Sequence, residues 1–215
     1  MNRSEREEIY AAYGRLLSSV DAWFARCMAT QGGRIACRNG CAGCCRGLFD
    51  ITLLDAWYLK RGFDRLDEGS RETVLSKCRD RLVRMREQWP ELAPPYLLNY
   101  RPEEEWDALM PDDDETPCVL LSDEGCCLLY DHRPMTCRLH GIPLVDLSGA
   151  VMHDEWCTLN FTDVDPLQLP ELRGEFNRIF CDELTLFQRL TADMLQEKFN
   201  ELDTFIPLAL LIEFP

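Results

Sequence analysis

The sequence lacks long apolar runs, a secretory leader and an excess of basic residues. No apolar stretch reaches the roughly 18 to 20 residues that span a bilayer, and the nearest approach, residues 205–212, contains Pro207. That segment is expected to dock on the core or to pair as an edge strand. Residues 2–8 are charged and polar, without the apolar segment of a signal peptide, which predicts a cytoplasmic protein. A formal net charge of -15 repels a phosphate backbone, so no nucleic-acid partner is expected. The lack of a long apolar run predicts that no segment spans a membrane.

Familiar catalytic motifs are also missing. The chain has no Gly-rich nucleotide-phosphate loop, no Ser-His-Asp order and no HExxH sequence, so the sequence leaves open whether this is an enzyme. Its 215 residues are 46% hydrophobic and 28% charged. This composition is ordinary for a globular protein, and the length predicts one domain over residues 1–215.

Cysteine, in contrast, is abundant, with 12 residues. A chain of this length can bury an ordinary core without covalent staples. In a reducing compartment, closely spaced thiols indicate metal ligands or redox groups before they indicate disulfides. Most of the cysteines fall into two groups: Cys37, Cys41, Cys44 and Cys45, followed by Cys118, Cys126, Cys127, Cys137 and Cys157.

The first group has the spacing of a metal-binding loop. Gaps of three and two residues after Cys37 let a tight turn aim several thiolates at one point. Gly40 and Gly43 each precede a cysteine and permit the positive φ angles that such a turn needs. Adjacent side chains of an extended segment point in opposite directions, so one ion does not easily take both Cys44 and Cys45. Either two ions or a cluster share the loop, which we favour, or one of the pair is a structural thiol or a spare nucleophile.

The second group includes two cysteines on the strands of a predicted hairpin. Ser122–Gly125 is a turn signal between two short β-type runs that carry Cys118 and Cys127, and two further cysteines follow. Cys126 faces the opposite side of its strand from its neighbour and is expected to serve packing. The predicted metal ligands are therefore Cys37, Cys41, Cys44, Cys45, Cys118, Cys127, Cys137 and Cys157.

The remaining candidate ligands are less specific. Cys27, Cys78 and Cys181 lie on helical stripes and are expected to be small buried apolar residues. His140, three residues after Cys137, is either an extra ligand or an outer hydrogen-bond donor.

The periodicity predicts a mainly α protein with a minor β component. Amphipathic patterns indicate long terminal helices over residues 4–31 and 171–203, enclosing an irregular cysteine-rich region, 37–161, with short β-hairpins. Three shorter helices are expected between them: one capped at Thr52 and ending at Gly62, one from Ser70 to Trp89, and one around Glu103 to Met110.

Several segments together resemble a known family, the zinc- or iron-chelating CxxCxxCC domains of the YkgJ type. The likeness covers roughly residues 37–161 and implies metal chelation without a particular reaction. The first gap here is Cys-x3-Cys, whereas the family name implies Cys-x2-Cys. The matching segments are Cys37–Cys45, Cys118–Leu121, Gly125–Tyr130, Arg133–Arg138, His140–Leu144 and Cys157–Phe161.

Three functions remain open from the sequence. The first is a cytosolic protein that binds zinc or iron, including an iron–sulfur cluster, through the eight cysteines. The second is an iron–sulfur or iron-dependent enzyme with redox or protein-modifying activity, which similarity to the cysteine motif of flagellin lysine methylases implies. The third is metal storage or delivery. Thiolate ligands suit both zinc and iron–sulfur clusters, so the ligand type does not separate the metals.

Overall fold

The computed structural model describes residues 3–38, 40–111 and 113–215. About half of these residues are helical and the strands are short, which confirms a mainly α protein. The helices are α1 Arg3–Gln31, α2 Leu53–Phe63, α3 Glu68–Gln88, α4 Glu103–Asp107, α5 Met135–Leu139, α6 Phe176–Met194 and α7 Ile206–Ala209. The strands β1 Asp50–Thr52 and β4 Asp203–Phe205 form one antiparallel pair, and β2 Leu144–Val145 and β3 Val151–His153 form another.

The chain divides into two compact units, each assembled from two separate segments. The first unit comprises Met1–Cys44 and Met135–Lys198, and the second comprises Cys45–Pro134 and Phe199–Pro215. The boundary near the N-terminal end therefore falls between the adjacent cysteines Cys44 and Cys45. A single domain over residues 1–215 stays a prediction.

In the first unit, α1 packs against α5 and α6. Trp23 of α1 is buried, lies edge-on to Phe176 with ring centroids 4.9 Å apart, and donates its indole N–H to the carbonyl of Leu172 at 2.7 Å. This indole bond satisfies the polar atom of a large buried side chain. Arg138 of α5 is also buried, and its guanidinium pairs with Asp21 of α1.

In the second unit, α7 packs against α2 and α3. The largely apolar C-terminal segment is buried there, as the sequence predicts: Phe205 ends β4, and Ile206 and Leu208 of α7 lie in the core. The sheet β1–β4 aligns Asp50 with Phe205 and Thr52 with Asp203. Among the described residues, no helix combines the length and the apolar character needed to cross a membrane.

Several predicted boundaries differ from the structure. The C-terminal helix occupies only Phe176–Met194, because a proline-containing 3-10 turn, Pro170–Leu172, precedes it and Gln196 adopts φ +60° just beyond it. A residue in the left-handed region ends a helix by satisfying its last carbonyls. Helix α3 begins earlier than predicted, because the side chain of Asp67 caps it by accepting the Ser70 N–H at 3.0 Å.

Other local predictions are confirmed. Thr52 caps α2 by accepting the Asp55 N–H at 3.1 Å. Gly125 adopts a positive φ of +77° in the predicted turn, and Gly149 adopts +90° in the turn between β2 and β3. The first of these hairpins is minimal, because its pairing is an isolated bridge between Leu121 and Cys127.

Replacing Gly62 by alanine is expected to destabilise the second unit. In an exposed helix, replacing glycine by alanine raises the stability by about 1 kcal/mol, because alanine has the higher helix propensity. Here the added Cβ would lie 2.4 Å from Cγ and 2.7 Å from Cβ of His132, so overpacking costs about 1 to 3 kcal/mol and reverses the sign. Urea denaturation measures the difference. The matched control is Gly69→Ala in α3, whose added Cβ meets only Asp67 Oδ1 at 3.4 Å and should cost nothing. A Gly62→Ala variant as stable as the original chain would contradict the packing argument.

Candidate functional site

The first thiol group forms where the segment after α1 meets residues 157–161 of the same unit. The Phe161 N–H donates to the Arg34 carbonyl at 2.8 Å, and the Asn160 N–H donates to the Cys157 carbonyl at 2.8 Å. These bonds hold Cys157 beside the start of the cysteine loop, which begins two residues after Ile35. The structure thus brings together two predicted ligands, Cys37 and Cys157, that lie 120 residues apart in the sequence.

Asn160 connects the parts of this site, and the sequence analysis assigned it no role. Its side chain is 1% exposed. Its Oδ1 accepts the Ala36 N–H at 2.8 Å, while its Nδ2 donates to the Gly141 carbonyl at 2.7 Å and to Cys37 Sγ at 3.6 Å. An N–H donated to sulfur stabilises the thiolate form and orients the ligand. Its place in the segment Cys157–Phe161 was the only signal available in the sequence.

Gly141 leaves space for this arrangement. Its φ is +103°, and a Cβ added there would lie 3.3 Å from both Cys37 Sγ and Asn160 Nδ2, and 3.8 Å from Cys157 Cβ. Cys37 and Cys157 therefore approach the same point, and only glycine fits between them without displacing sulfur. The carbonyl of Gly141 also accepts the Cys157 N–H at 3.4 Å.

Two more cysteines, Cys41 and Cys44, interact electrostatically with Cys37. Burial raises the pKa of the Cys37 thiol, the Asn160 hydrogen bond opposes that rise, and the negative charges of Cys157, Cys41 and Cys44 raise the pKa further. Cys41, Cys44 and Cys157 therefore lie within electrostatic range of Cys37. We call Cys37, Cys41, Cys44 and Cys157 the first thiol group.

The sulfurs are not already arranged as a coordination shell. In residues 3–38, 40–111 and 113–215, no three Cys, His, Asp or Glu side chains are placed to hold a metal ion. A Cβ added at Gly40 or Gly43 would meet no atom within 4 Å, so neither glycine is packed tightly against its surroundings.

Cys45 belongs to a different arrangement, in the second unit. Its carbonyl accepts the Cys118 N–H at 2.9 Å, next to an antiparallel bridge between Arg46 and Pro117. Cys127 is partly buried against the same core, where burial raises the pKa of its thiol. The structure thus separates the adjacent cysteines, since Cys44 lies in the first thiol group and Cys45 pairs in register with Cys118.

Cys137 and His140 lie in or directly after α5, in the first unit, and Cys137 is exposed. Partial burial lowers the pKa of His140, His153 lowers it further and Glu155 opposes both. A neutral imidazole has a free nitrogen lone pair, as a ligand requires. Whether either residue binds a metal stays a prediction.

The remaining cysteines differ partly from expectation. Cys27 and Cys78 are buried in the cores of their units, as predicted, and burial raises the pKa of Cys27 to about 11. Cys181 and Cys126 are exposed, so the expectation that they pack in the interior was wrong. Cys126 is in the short loop of the hairpin, and Cys181 lies on the outer face of α6.

The chain matches no protein-family model, no curated protein and no solved structure. The resemblance to the YkgJ type therefore rests on the cysteine motifs alone.

Removing the Asn160 side chain is expected to loosen the first thiol group. Asn160→Ala deletes three buried hydrogen bonds and leaves the Ala36 N–H without this acceptor, which should cost about 2 to 3 kcal/mol. Chemical denaturation measures the loss. Leu159→Ala is the control, because that side chain is 59% exposed and its loss should be nearly neutral. Equal stability of the two variants would contradict the role of Asn160.

Proposed function

We propose that this protein binds zinc or iron through cysteine thiolates, with the first thiol group as the principal site. The observation that carries the proposal is the placement of Cys157 beside Cys37, held by Asn160 and Gly141. This contact adds a fourth thiol to the three of the loop. Four soft thiolates form the donor set of structural zinc sites and of iron–sulfur clusters.

A bound metal would act chiefly on the loop of the first unit. Cys37, Cys41 and Cys44 would supply loop ligands, and Cys157 would anchor them to the segment that Asn160 fixes. The metal would bring the binding free energy that stabilises an otherwise open loop, because metal binding and local folding are coupled in such sites. Cys45, Cys118 and Cys127 of the second unit, and Cys137 of the first, stay predicted ligands.

Elemental analysis and a visible spectrum of the protein, purified with and without air, test the proposal. Colourless protein with about one or two zinc ions per chain identifies a structural zinc protein. Brown protein with broad absorbance at about 400 nm and acid-labile sulfide identifies an iron–sulfur protein. Protein without zinc or iron after both preparations would overturn the proposal.

A double variant locates the metal. Cys45→Ser with Cys118→Ser leaves all four members of the first thiol group in place, so this protein should keep at least one metal ion per chain. Cys44→Ser removes a neighbouring residue that does belong to the group, and the metal held there should be lost. Because Cys44 and Cys45 are adjacent, the comparison separates ligation from general damage to the loop.

A further inference from the structure

Cys45 and Cys118 face each other across an antiparallel pair of segments in the second unit. The bridge between Arg46 and Pro117 fixes the register, and the Cys118 N–H donates to the Cys45 carbonyl at 2.9 Å. The Gly47 N–H donates to the Thr116 carbonyl at 2.8 Å, so the same register continues for two residues. Side chains directly opposite in an antiparallel pair lie on one face.

This register matches the span of a disulfide. In a hydrogen-bonded antiparallel pair, opposite Cα atoms lie about 5.5 Å apart. Disulfides join Cα atoms about 4.4 to 6.8 Å apart. A bond between the two sulfurs would therefore form without breaking the backbone pairing.

The surroundings favour this pair over the neighbouring thiol. Cys45 and Cys118 are not joined in a disulfide and are both partly exposed, so a small oxidant can reach them. Cys78 is near Cys118, but its side chain is 0% exposed. A small oxidant therefore reaches the buried Cys78 less readily than the partly exposed pair.

We infer that Cys45 and Cys118 are a redox pair that closes to a reversible disulfide. The site is distinct from the first thiol group and needs no metal in the first unit, so the inference goes beyond the proposed function. The oxidant is a small-molecule disulfide of the glutathione type. One cysteine thiolate attacks it, forming a mixed disulfide and releasing one glutathione thiolate. The second cysteine then attacks the protein sulfur of the mixed disulfide and releases the second glutathione, so two protein thiols are oxidised and two glutathione molecules are produced.

Closing this bond has a consequence for metal binding in the second unit. Cys45 and Cys118 are two of the three predicted metal ligands that lie in the second unit. A disulfide sulfur is neutral and cannot replace a thiolate as a metal ligand. Oxidation of the pair and metal binding through it therefore exclude each other, whereas the first thiol group is unaffected.

The test equilibrates the purified full chain, with its metal, in glutathione buffers of graded oxidised-to-reduced ratio. Remaining thiols are alkylated, and the cross-linked peptides are mapped by mass spectrometry. Most chains should carry the Cys45–Cys118 bond at ratios that leave the first thiol group reduced. In Cys45→Ser, the cross-link should fall to background and Cys118 should carry a glutathione adduct instead. Cys126→Ser is the matched control, an exposed cysteine of the same unit whose loss should leave the cross-link unchanged.

Two outcomes would overturn the inference. One is that Cys45 and Cys118 both stay alkylatable at ratios that modify the exposed Cys126. The other is that Cys118 cross-links mainly to a cysteine other than Cys45. Metal content measured on the same samples distinguishes failure of the redox inference from failure of the proposed function. Protein that retains zinc or iron but lacks the Cys45–Cys118 disulfide contradicts only the redox pair. Protein that forms the disulfide but contains no metal contradicts only metal binding.

Discussion

Replacing Cys157 by serine is expected to lower the affinity of the first thiol group for zinc or iron by more than about 100-fold. Removing a residue that only hydrogen-bonds to a metal ligand typically lowers the metal affinity by about 10- to 100-fold. Removing a direct ligand should lower the affinity by more. A serine hydroxyl stays protonated at neutral pH and is a harder donor than a thiolate. Cys157 is the one member of the group that does not belong to the 37–44 loop, so its loss removes the anchor of the site.

Competition with a coloured chelator measures the affinity of Cys157→Ser, and elemental analysis measures the metal that stays bound. Cys181→Ser is the control, since it removes an exposed cysteine of α6 in the same unit and should leave both quantities unchanged. A Cys157→Ser protein with undiminished metal would show that the contact with Cys37 does not mark a binding site. Circular dichroism of both variants checks that the fold is retained.

Replacing Asp203 by asparagine is expected to raise the free energy of unfolding at pH 7 by about 3 kcal/mol. Burial raises the pKa of Asp203 to about 6, and its side chain belongs to a residue only 6% exposed. Asn99 Nδ2 donates to Asp203 at 3.0 Å and so favours the charged form, whereas the charges of Glu201 and Asp50 oppose it. An asparagine keeps an acceptor for Asn99 and removes the buried charge.

The pH dependence follows from the raised pKa of Asp203. In the unfolded chain this carboxyl has its ordinary pKa of 3.8, and in the folded protein its pKa is about 6. Between these values the folded state holds a proton that the unfolded state has lost. The contribution of Asp203 to stability is therefore fully present below about pH 4 and is lost as the pH rises through about 6. The advantage of Asp203→Asn should be near zero at pH 4 and reach its plateau above pH 6.

Urea denaturation of both proteins at a series of pH values gives this difference directly. Subtracting one curve from the other cancels the titration of carboxyls with a lowered pKa, such as Asp114 and Asp193. Asp80→Asn, at an exposed position of α3, serves as the control for exchanging an aspartate for an asparagine at the surface. A stability gain independent of pH would show that the charge of Asp203 is not the cause.

Much of the helical fold could be predicted from the sequence, because local signals determine it. The apolar stripe of α1 and the Thr52 cap of α2 act over a few residues and need no partner. The pairing of β1 with β4 could not be predicted in this way. Each strand has three residues, and acidic residues, Asp50 and Asp203, occupy positions where a propensity scale disfavours a strand. Burial by a distant segment decides their conformation.

The candidate site shows the same limit. Spacing identified Cys37, Cys41 and Cys44 as neighbours, because a short loop keeps them together. Spacing could not assign Cys157 to this group, since a tertiary contact 120 residues away along the chain decides it. Asn160 escaped prediction for a related reason: an asparagine is a common surface residue, and only its three buried hydrogen bonds distinguish it.

The discontinuous make-up of the first unit has a consequence during protein synthesis. Cys37 leaves the ribosome 120 residues before Cys157. At about 5 to 20 residues per second, this delay lasts about 6 to 24 s. Throughout that interval the nascent chain presents the thiols of the 37–44 loop without their fourth partner. Under the proposed function, metal loading of the first thiol group would therefore be a late event that follows translation of the whole second-unit segment 45–134.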